Sequence, residues 1–362
     1  MKILHISPRY FTNKEIGGGE RYPLELAKAL SKYAETTLLV FGDKRNTIQI
    51  NELRIEVYPE WSFGRSLKLD PFSISFLHEL KNTDIVHIHQ FRKVVSNISI
   101  LWSRVRGKPI FITDHGGGDP ISIYLFSFLV GHLASGFLTV SKFSGKNFLQ
   151  FNRPVKVIYG GVDVSVFYPR KIERENNKVL FVGRFLPLKG CEYLVKAVQD
   201  LDVKLHMIGV PTSQKVINTL RMLDKNKKVR FRFSVPDCDE LAKEYSSSVV
   251  TILPSVYIDY YGDFHKGELL GLTLLESMAC ETPVICTKVG GMPEIVADGE
   301  TGFVVNPNDP LAIRNRIEYL INNPEEARRM GQFGRRIVLK NYTWDAVAGR
   351  CLAAYKESYN IV

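Results

Sequence analysis

The sequence predicts an α/β protein built from two Rossmann-like domains with parallel sheets. Two series of alternating strand and helix patterns carry the prediction, one running from Lys2 to Asp163 and one beginning at Val179. Between them lies Pro169–Lys178 (PRKIERENNK), charged and without apolar periodicity, which reads as an interdomain linker. The expected division is an N-terminal domain over residues 1–168, a second domain over 169–345 and a final segment over 346–362. A chain of 362 residues is long enough for two cores. Apolar and charged fractions of 45% and 24% are those of a soluble globular protein.

The elements follow in order. Lys2–Ser7 (KILHIS) is a short apolar strand that Pro8 ends. Gly17-Gly18-Gly19-Glu20-Arg21 comes next; its glycines let backbone approach a ligand, and their N–H groups suit an anion. Leu24, Ala27 and Leu30 recur at helical spacing after that loop, and Thr37–Phe41 is the next strand. Asp84–His89 (DIVHIH) and Lys108–His115 (KPIFITDH) are further strands. A histidine such as His115 at the C-terminal end of a parallel strand lies where open α/β sheets bind ligands; a lone histidine is more often structural. Ser135–Ser141 and Val155–Asp163 complete the first domain.

In the second series, strand Val179–Val182 is followed by Gly183-Arg184, then Lys189-Gly190, then a helix through Ala197. Arginine grips a diphosphate through paired hydrogen bonds, and lysine adds a compact charge. On a strand-to-helix loop both also suit plain solvation. Lys204–Gly209, Val229–Pro236 and Val249–Ser255 are the next strands. Glu268–Glu276 (ELLGLTLLE) then places two carboxylates around seven uncharged residues. Gly271 permits a tight turn before an apolar helix that starts near Thr273. The helix end points unpaired N–H groups and a positive dipole end at what precedes it, a ready phosphate site. An anion held between two hydroxyl-gripping carboxylates describes a nucleotide sugar. A solvated glutamate at each end of an amphipathic helix is the alternative that the spacing alone leaves open.

These motifs together resemble the retaining GT-B glycosyltransferases, the large family that includes sucrose and glycogen synthases. The resemblance rests on Gly267–Thr287 (GELLGLTLLESMACETPVICT) with its two-glutamate spacing, on VLFVGRFLPLKG, on the GGxER loop with its LELAKAL helix, on Thr113-Asp114-His115-Gly116, and on Gly290-Gly291-Met292-Pro293-Glu294 and Asp298–Val305. It covers nearly the whole chain and is weakest between Lys44 and Asn82. Glu281 stands where the family usually has glycine, Gly160 replaces the usual asparagine of the NGVD turn, and Gly-Val-Pro after Lys204–Gly209 departs from Gly-x-Gly.

The resemblance implies a GT-B fold whose two sheets face each other across a cleft, with the last helix returning to the first domain. It implies transfer of a sugar from a nucleoside diphosphate sugar with retention of anomeric configuration. Arg184 and Lys189 would bind the donor diphosphate, Glu268 the sugar hydroxyls and Glu276 the ribose. Gly271, Leu272, Thr273 and Leu274 would supply the helix end, and Gly18 and Gly19 would lie against the diphosphate. His115 would position the transferred sugar. The expected catalytic set is His115, Glu268, Arg184 and Lys189, with no cofactor and no metal. Asp259, Asp263 and His265 before Glu268 read as a polar loop, because no second cluster completes a metal site. An epimerase or hydrolase of nucleotide sugars, or a non-catalytic nucleotide-sugar sensor, are the rival functions.

Charge points to the acceptor. Through Tyr168 there are 21 Lys and Arg against 14 Asp and Glu; beyond it 27 against 24, within a net charge of +10. The basic excess lies in the first half and suits an anionic partner, whether a phospholipid surface, a phosphorylated acceptor or nucleic acid; plain solubility explains the same excess. The resemblance makes that partner a saccharide or lipid-linked acceptor, or an anionic membrane surface, rather than nucleic acid. Aromatic and basic residues mix over Trp61–Leu80 and again around Trp102, Arg104 and Arg106, a composition that suits an interface or a half-buried loop equally. Pro120–Ser141 lacks charge, but Gly131, His132, Ser135 and Gly136 interrupt it, so spanning is not expected. Five cysteines without a C-x-x-C pair, and a strand pattern already at Met1–Ile6, place the expected protein in the cytoplasm, and the basic excess with the aromatic-basic segments adds an expected weak peripheral attachment to the cytoplasmic membrane face.

Overall fold

A computed structural model describes residues 1–10, 18–60, 73–115 and 121–359. They form two units, Met1–Gly161 with Trp344–Val362, and Val162–Thr343.

The first unit is built on a sheet of β1 (Lys2–Tyr10), β2 (Glu35–Gly42), β3 (Asn46–Ile50), β4 (Leu53–Pro59), β5 (Ile85–His89), β6 (Ile110–Thr113), β7 (Gly136–Thr139) and β8 (Val155–Val157). Its order is β3-β4-β2-β1-β5-β6-β7-β8, and every neighbouring pair except β3 and β4 is parallel. Side chains alternate across the sheet. Leu39 and Phe41 of β2 therefore join one core with Leu4, Ile6, Val86 and Phe137, while Leu38 and Val40 join another with Leu53 and Ile55. Helices α1 (Gly18–Ser31), α2 (Val94–Val105), α3 (Ile121–Gly131) and α4 (Lys142–Gly145) connect the strands. Strand order reverses direction between β1 and β5, which makes their C-terminal ends the switch point where such sheets bind ligands.

The second unit holds β9 (Lys178–Val182), β10 (Lys204–Ile208), β11 (Val229–Arg232), β12 (Val250–Leu253), β13 (Val284–Thr287) and β14 (Gly302–Val305). Their order, β11-β10-β9-β12-β13-β14, is wholly parallel. All of β9, β12 and β13 is buried, as expected where helices cover both faces. The helices are α5 (Cys191–Val198), α6 (Gln214–Leu223), α7 (Cys238–Ser246), α8 (Leu272–Ala279), α9 (Pro310–Asn322) and α10 (Pro324–Asn341). The last helix, α11 (Trp344–Tyr359), belongs to the first unit. There Trp344 meets the Tyr22 ring edge-on at 5.1 Å and the Tyr355 hydroxyl lies 2.6 Å from His87 Nδ1.

Four expectations change. Pro8 does not end β1: the register shifts between Ile6 and Tyr10, and an irregularity is where a strand tolerates proline. Gly18 and Gly19 lie in the first turn of α1 rather than in a loop before it, and Gly17 lies outside the described residues. The β3–β4 hairpin was not anticipated, although its alternating residues flank Asn51, which adopts a left-handed φ of 49°. The segment 169–178 is not a free linker. The Arg170 guanidinium donates to Asp239 at 2.7 Å, and buried Lys178 donates to Ser247 at 2.6 Å and pairs with Glu244 at 2.8 Å. Charges that look solvated in the sequence meet partners far along the chain, so the unit begins before Tyr168. The uncharged run over 120–141 is divided between α3 and β7, and no helix among the described residues is long and apolar enough to cross a membrane.

Candidate active site

In the second unit the strand order reverses between β9 and β12, and the loops following these two strands carry Arg184, Lys189 and Glu268. Arg184 is exposed, and among the described residues its guanidinium makes no hydrogen bond or ion pair. Lys189 ends a short 3-10 turn, Pro187–Lys189, and Gly190 follows with φ +63°. A Cβ at Gly190 would lie 2.2 Å from the Pro254 carbonyl oxygen, so only glycine lets this loop close on the end of β12. The Val256 N–H then donates to the Leu188 carbonyl at 2.9 Å, joining the two loops. In consequence the Lys189 ammonium donates to the Glu268 carboxylate. The Ser255 hydroxyl donates to the same oxygen of Glu268 at 3.4 Å.

The backbone of Glu268 is held by the glycine pair after β13. The Gly291 N–H donates to the Glu268 carbonyl at 2.9 Å, and a Cβ at Gly290 (φ +61°) would fall 1.7 Å from that oxygen. The Gly290 N–H donates to the Tyr257 hydroxyl at 2.8 Å. Gly271, left-handed at φ 92°, starts α8, and the N–H groups of Leu272 and Thr273 are left without intrahelical acceptors. Leu272 and Thr273 are half-exposed, while the Leu274 side chain is core. Glu276 lies deeper on α8, only 3% exposed, and accepts from the Tyr245 hydroxyl at 2.9 Å. Tyr245, Ser255 and Tyr257 had no signal in the sequence, because each reaches its glutamate or glycine through folding alone.

Asp259 spends its carboxylate inside its own loop. It accepts from the Tyr261 and Asp263 N–H groups at 2.8 and 3.0 Å and meets His265 Nε2 at 2.8 Å. These bonds hold its pKa below the usual carboxylate value despite the opposing effect of burial.

In the first unit His115 follows β6 and is half-buried. The Tyr22 ring of α1 lies 4.5 Å from it, and its Nε2 is 3.1 Å from His89 Nδ1. Burial, helped by nearby Arg9, depresses its pKa to about 3, so the ring is neutral at physiological pH. Behind it lie His5, His87 and His89, all fully buried, with candidate ligand atoms within 4.8 Å of one another. Sequence reading treated His115 as isolated. The pairing of β1 with β5, which sets His5 opposite His87, creates the cluster. Gly18 and Gly19 sit at the start of α1 in this unit, and Gly116 lies outside the described residues.

Two Rossmann-like units, the second with a cation–carboxylate pair at its switch point, define a protein of the GT-B class. Residues 167–337 match the family described as Glycosyl transferases group 1, and residues 16–166 match Glycosyltransferase Family 4. The chain belongs to this family of glycosyltransferases. An uncharacterized glycosyltransferase of Methanocaldococcus jannaschii is 29% identical over 78% of this chain and 76% of its own length. Other curated relatives are matched over little more than half of their length, 54% and 57%. Sucrose-phosphate synthase from Thermosynechococcus elongatus superimposes with a TM-score of 0.79 at 20% identity, over 100% of both chains. The Anabaena protein HepE, solved in complex with UDP and glucose, gives 0.76 at 17% identity over 99% of this chain and 100% of that one.

Proposed function

We propose that this enzyme transfers a sugar from a nucleoside diphosphate sugar to an anionic acceptor, with retention at the anomeric carbon and without a metal. The observation that carries the reading is the Lys189–Glu268 pair at the β9/β12 switch point in front of the α8 N-terminus. Each partner neutralises the other while the site is empty. A donor would engage both, its diphosphate taking Lys189 and Arg184 and its sugar hydroxyls taking Glu268. Glu276, set by Tyr245, would hold the ribose. The binding of UDP and glucose by HepE supports a nucleotide-sugar donor.

The step breaks the bond between the anomeric carbon and the diphosphate oxygen. The acceptor oxygen bonds the same face of that carbon, and its proton passes to the departing phosphate oxygen. Arg184, Lys189 and the α8 end stabilise the charge that develops on the leaving group, which is the task a metal performs elsewhere. His115 lies at the C-terminal end of the first sheet, where it would position the sugar.

Labelled nucleotide sugars incubated with and without acceptors test the reading. Product formed only with acceptor, carrying the donor's anomeric configuration by NMR, supports transfer. Epimerised donor without acceptor would instead establish the rival reaction. Turnover is expected to survive EDTA; complete loss with rescue by Mg²⁺ or Mn²⁺ would overturn the metal-free step.

A further inference from the structure

His5, His87, His89 and His115 of the first unit are not arranged as a metal site. Both nitrogens of His87 are already engaged, Nδ1 with the Tyr355 hydroxyl at 2.6 Å and Nε2 with the Thr113 hydroxyl at 2.8 Å. His5 Nδ1 and His89 Nε2 stand 2.9 Å apart, a hydrogen-bond distance. Two nitrogens on one tetrahedral zinc, each about 2.0–2.1 Å from it, would be separated by roughly 3.3 Å. A metal would therefore displace bonds already made.

What the geometry does form is a line. His5 Nδ1 meets His89 Nε2 at 2.9 Å, and His89 Nδ1 meets His115 Nε2 at 3.1 Å. Ring planes along the line differ by only 21° and 13°, with centres 5.2 and 5.4 Å apart, which is compatible with in-plane N–H···N bonds. We propose that His89 and His5 are positioning residues that fix the tautomer of His115, so that it meets the ligand only as an Nδ1–H donor. The proposal rests on the sugar-positioning role given to His115 above.

The logic is that of a chain with one proton per ring. A neutral imidazole has one donor and one acceptor, so choosing the tautomer at one end sets every ring. If His115 carried its proton on Nε2, His89 would too, and His5 would bear an Nε2–H. That nitrogen is buried and among the described residues has no hydrogen-bond partner. An orphaned buried N–H is the rarer and costlier outcome. In the opposite arrangement His5 Nδ1–H donates to His89, and His89 Nδ1–H donates to His115 Nε2. The proton of His115 then sits on Nδ1, which among the described residues has no partner of its own. The ring can donate to a sugar hydroxyl oxygen but has no free lone pair with which to act as a base.

Histidine-selective ¹⁵N labelling of the full chain tests this, because ring-nitrogen shifts distinguish Nδ1–H from Nε2–H directly. The wild-type spectrum is expected to show His5, His89 and His115 all as Nδ1–H. An Nε2–H tautomer at His115 overturns the proposal without any variant and without any activity. His89→Leu should release the tautomer of His115 and lower kcat about tenfold, the scale of one lost buried hydrogen bond. His89→Asn, whose amide nitrogen replaces Nδ1, should keep the Nδ1–H signature and most of the rate. An unchanged tautomer in His89→Leu also overturns the proposal. Failure to find any sugar transfer would count against the function proposed above and leave the spectrum to decide the relay.

Discussion

Glu281 shows how one residue can depart from a family pattern at a structural cost. Its φ is +60°, and the family usually has glycine there. A residue with a Cβ in this region costs about 1–2 kcal/mol, part of which glycine returns through its looser unfolded state. The Glu281 carboxylate offers little in exchange, standing 4.0 Å from Arg335, while its carbonyl accepts from Arg174 at 2.8 Å whatever the side chain. Glu281→Gly is expected to raise stability by up to about 1 kcal/mol in denaturant titration; a loss would mean that the left-handed turn is not strained. That departure was legible in the sequence.

Glu192 was not legible, because CEYLVKA reads as an ordinary amphipathic helix turn. It is fully buried, and among the described residues neither carboxylate oxygen accepts a hydrogen bond of normal geometry. Burial raises its pKa above the usual carboxylate value, with its own backbone N–H, the nearby Tyr261 hydroxyl and Lys196 offsetting only part of the effect. The native state therefore keeps this proton to higher pH than the unfolded chain does. Stability from this group falls as pH rises from the unfolded pKa toward the raised folded one, then levels. Glu192→Gln abolishes that fall. Thermal unfolding of both proteins should show a gap in favour of Gln that opens above about pH 4.5; a pH-independent gap would refute the assignment.

At the scale of elements, the proposed donor site is a set of loops stitched to each other rather than a single motif. The sequence supplied Arg184, Lys189, Glu268 and the glycine that starts α8, because these lie in contiguous strings. It did not supply the contacts among the loops, which join residues from the ends of β9, β12 and β13. Gly290 carries one such contact, and a side chain there would collide with the Glu268 carbonyl at 1.7 Å. Gly290→Ala should displace Glu268, weakening donor binding in titration calorimetry while the thermal transition stays cooperative. Unchanged donor affinity would show that the Glu268 backbone does not depend on the glycine pair. Arg184→Ala touches no such contact, so it should fold normally and lower turnover by about a hundredfold, the scale of losing one electrostatic stabiliser. Near-normal turnover would sink its assignment to the leaving group. The β3–β4 hairpin lay in the stretch where the sequence resembles the family least, and its short alternation was readable only with the partner strand in view.

At the scale of the whole molecule, α2 places two exposed cations of the basic first half, Arg104 and its C-cap Arg106, beside exposed apolar side chains. This helix buries Val95 and Ile100 in the core together with Ser96, Asn97, Ser99 and Ser103, and exposes Leu101 (38%), Trp102 (37%) and Val105 (87%) on its other side. The buried polar groups are largely satisfied: Ser96 donates to the Gln90 carbonyl at 2.6 Å, Ser99 to the Val95 carbonyl at 2.7 Å, and Asn97 to the Ser127 hydroxyl of α3 at 2.9 Å. The neighbouring α3 exposes Phe126 (46%) and Leu129 (60%). Arg104 and Arg106 lie at the same end of α2, with the Arg106 guanidinium 4.8 Å above the Trp102 ring. Of the other aromatic-basic stretch, Trp61–Leu80, residues 61–72 lie outside the described residues, while Phe76 and Leu80 in the remainder are buried in the core. Apolar side chains and a tryptophan flanked by cations suit the headgroup boundary of an anionic bilayer. We therefore expect reversible attachment through this end of α2, bringing the first unit to a lipid-linked or otherwise anionic acceptor. Each cation near such a surface contributes about 1 kcal/mol, so replacing Arg104 and Arg106 together should weaken vesicle binding roughly thirtyfold. Val105→Ser, at the most exposed apolar position, should weaken it without changing the charge, and rising salt should weaken only the charge-dependent part. Sedimentation with phosphatidylserine-containing and neutral vesicles measures all three. If the wild-type chain ignores anionic vesicles at low salt, or if these variants bind as it does, the α2 face has another purpose and the acceptor is not delivered by a membrane.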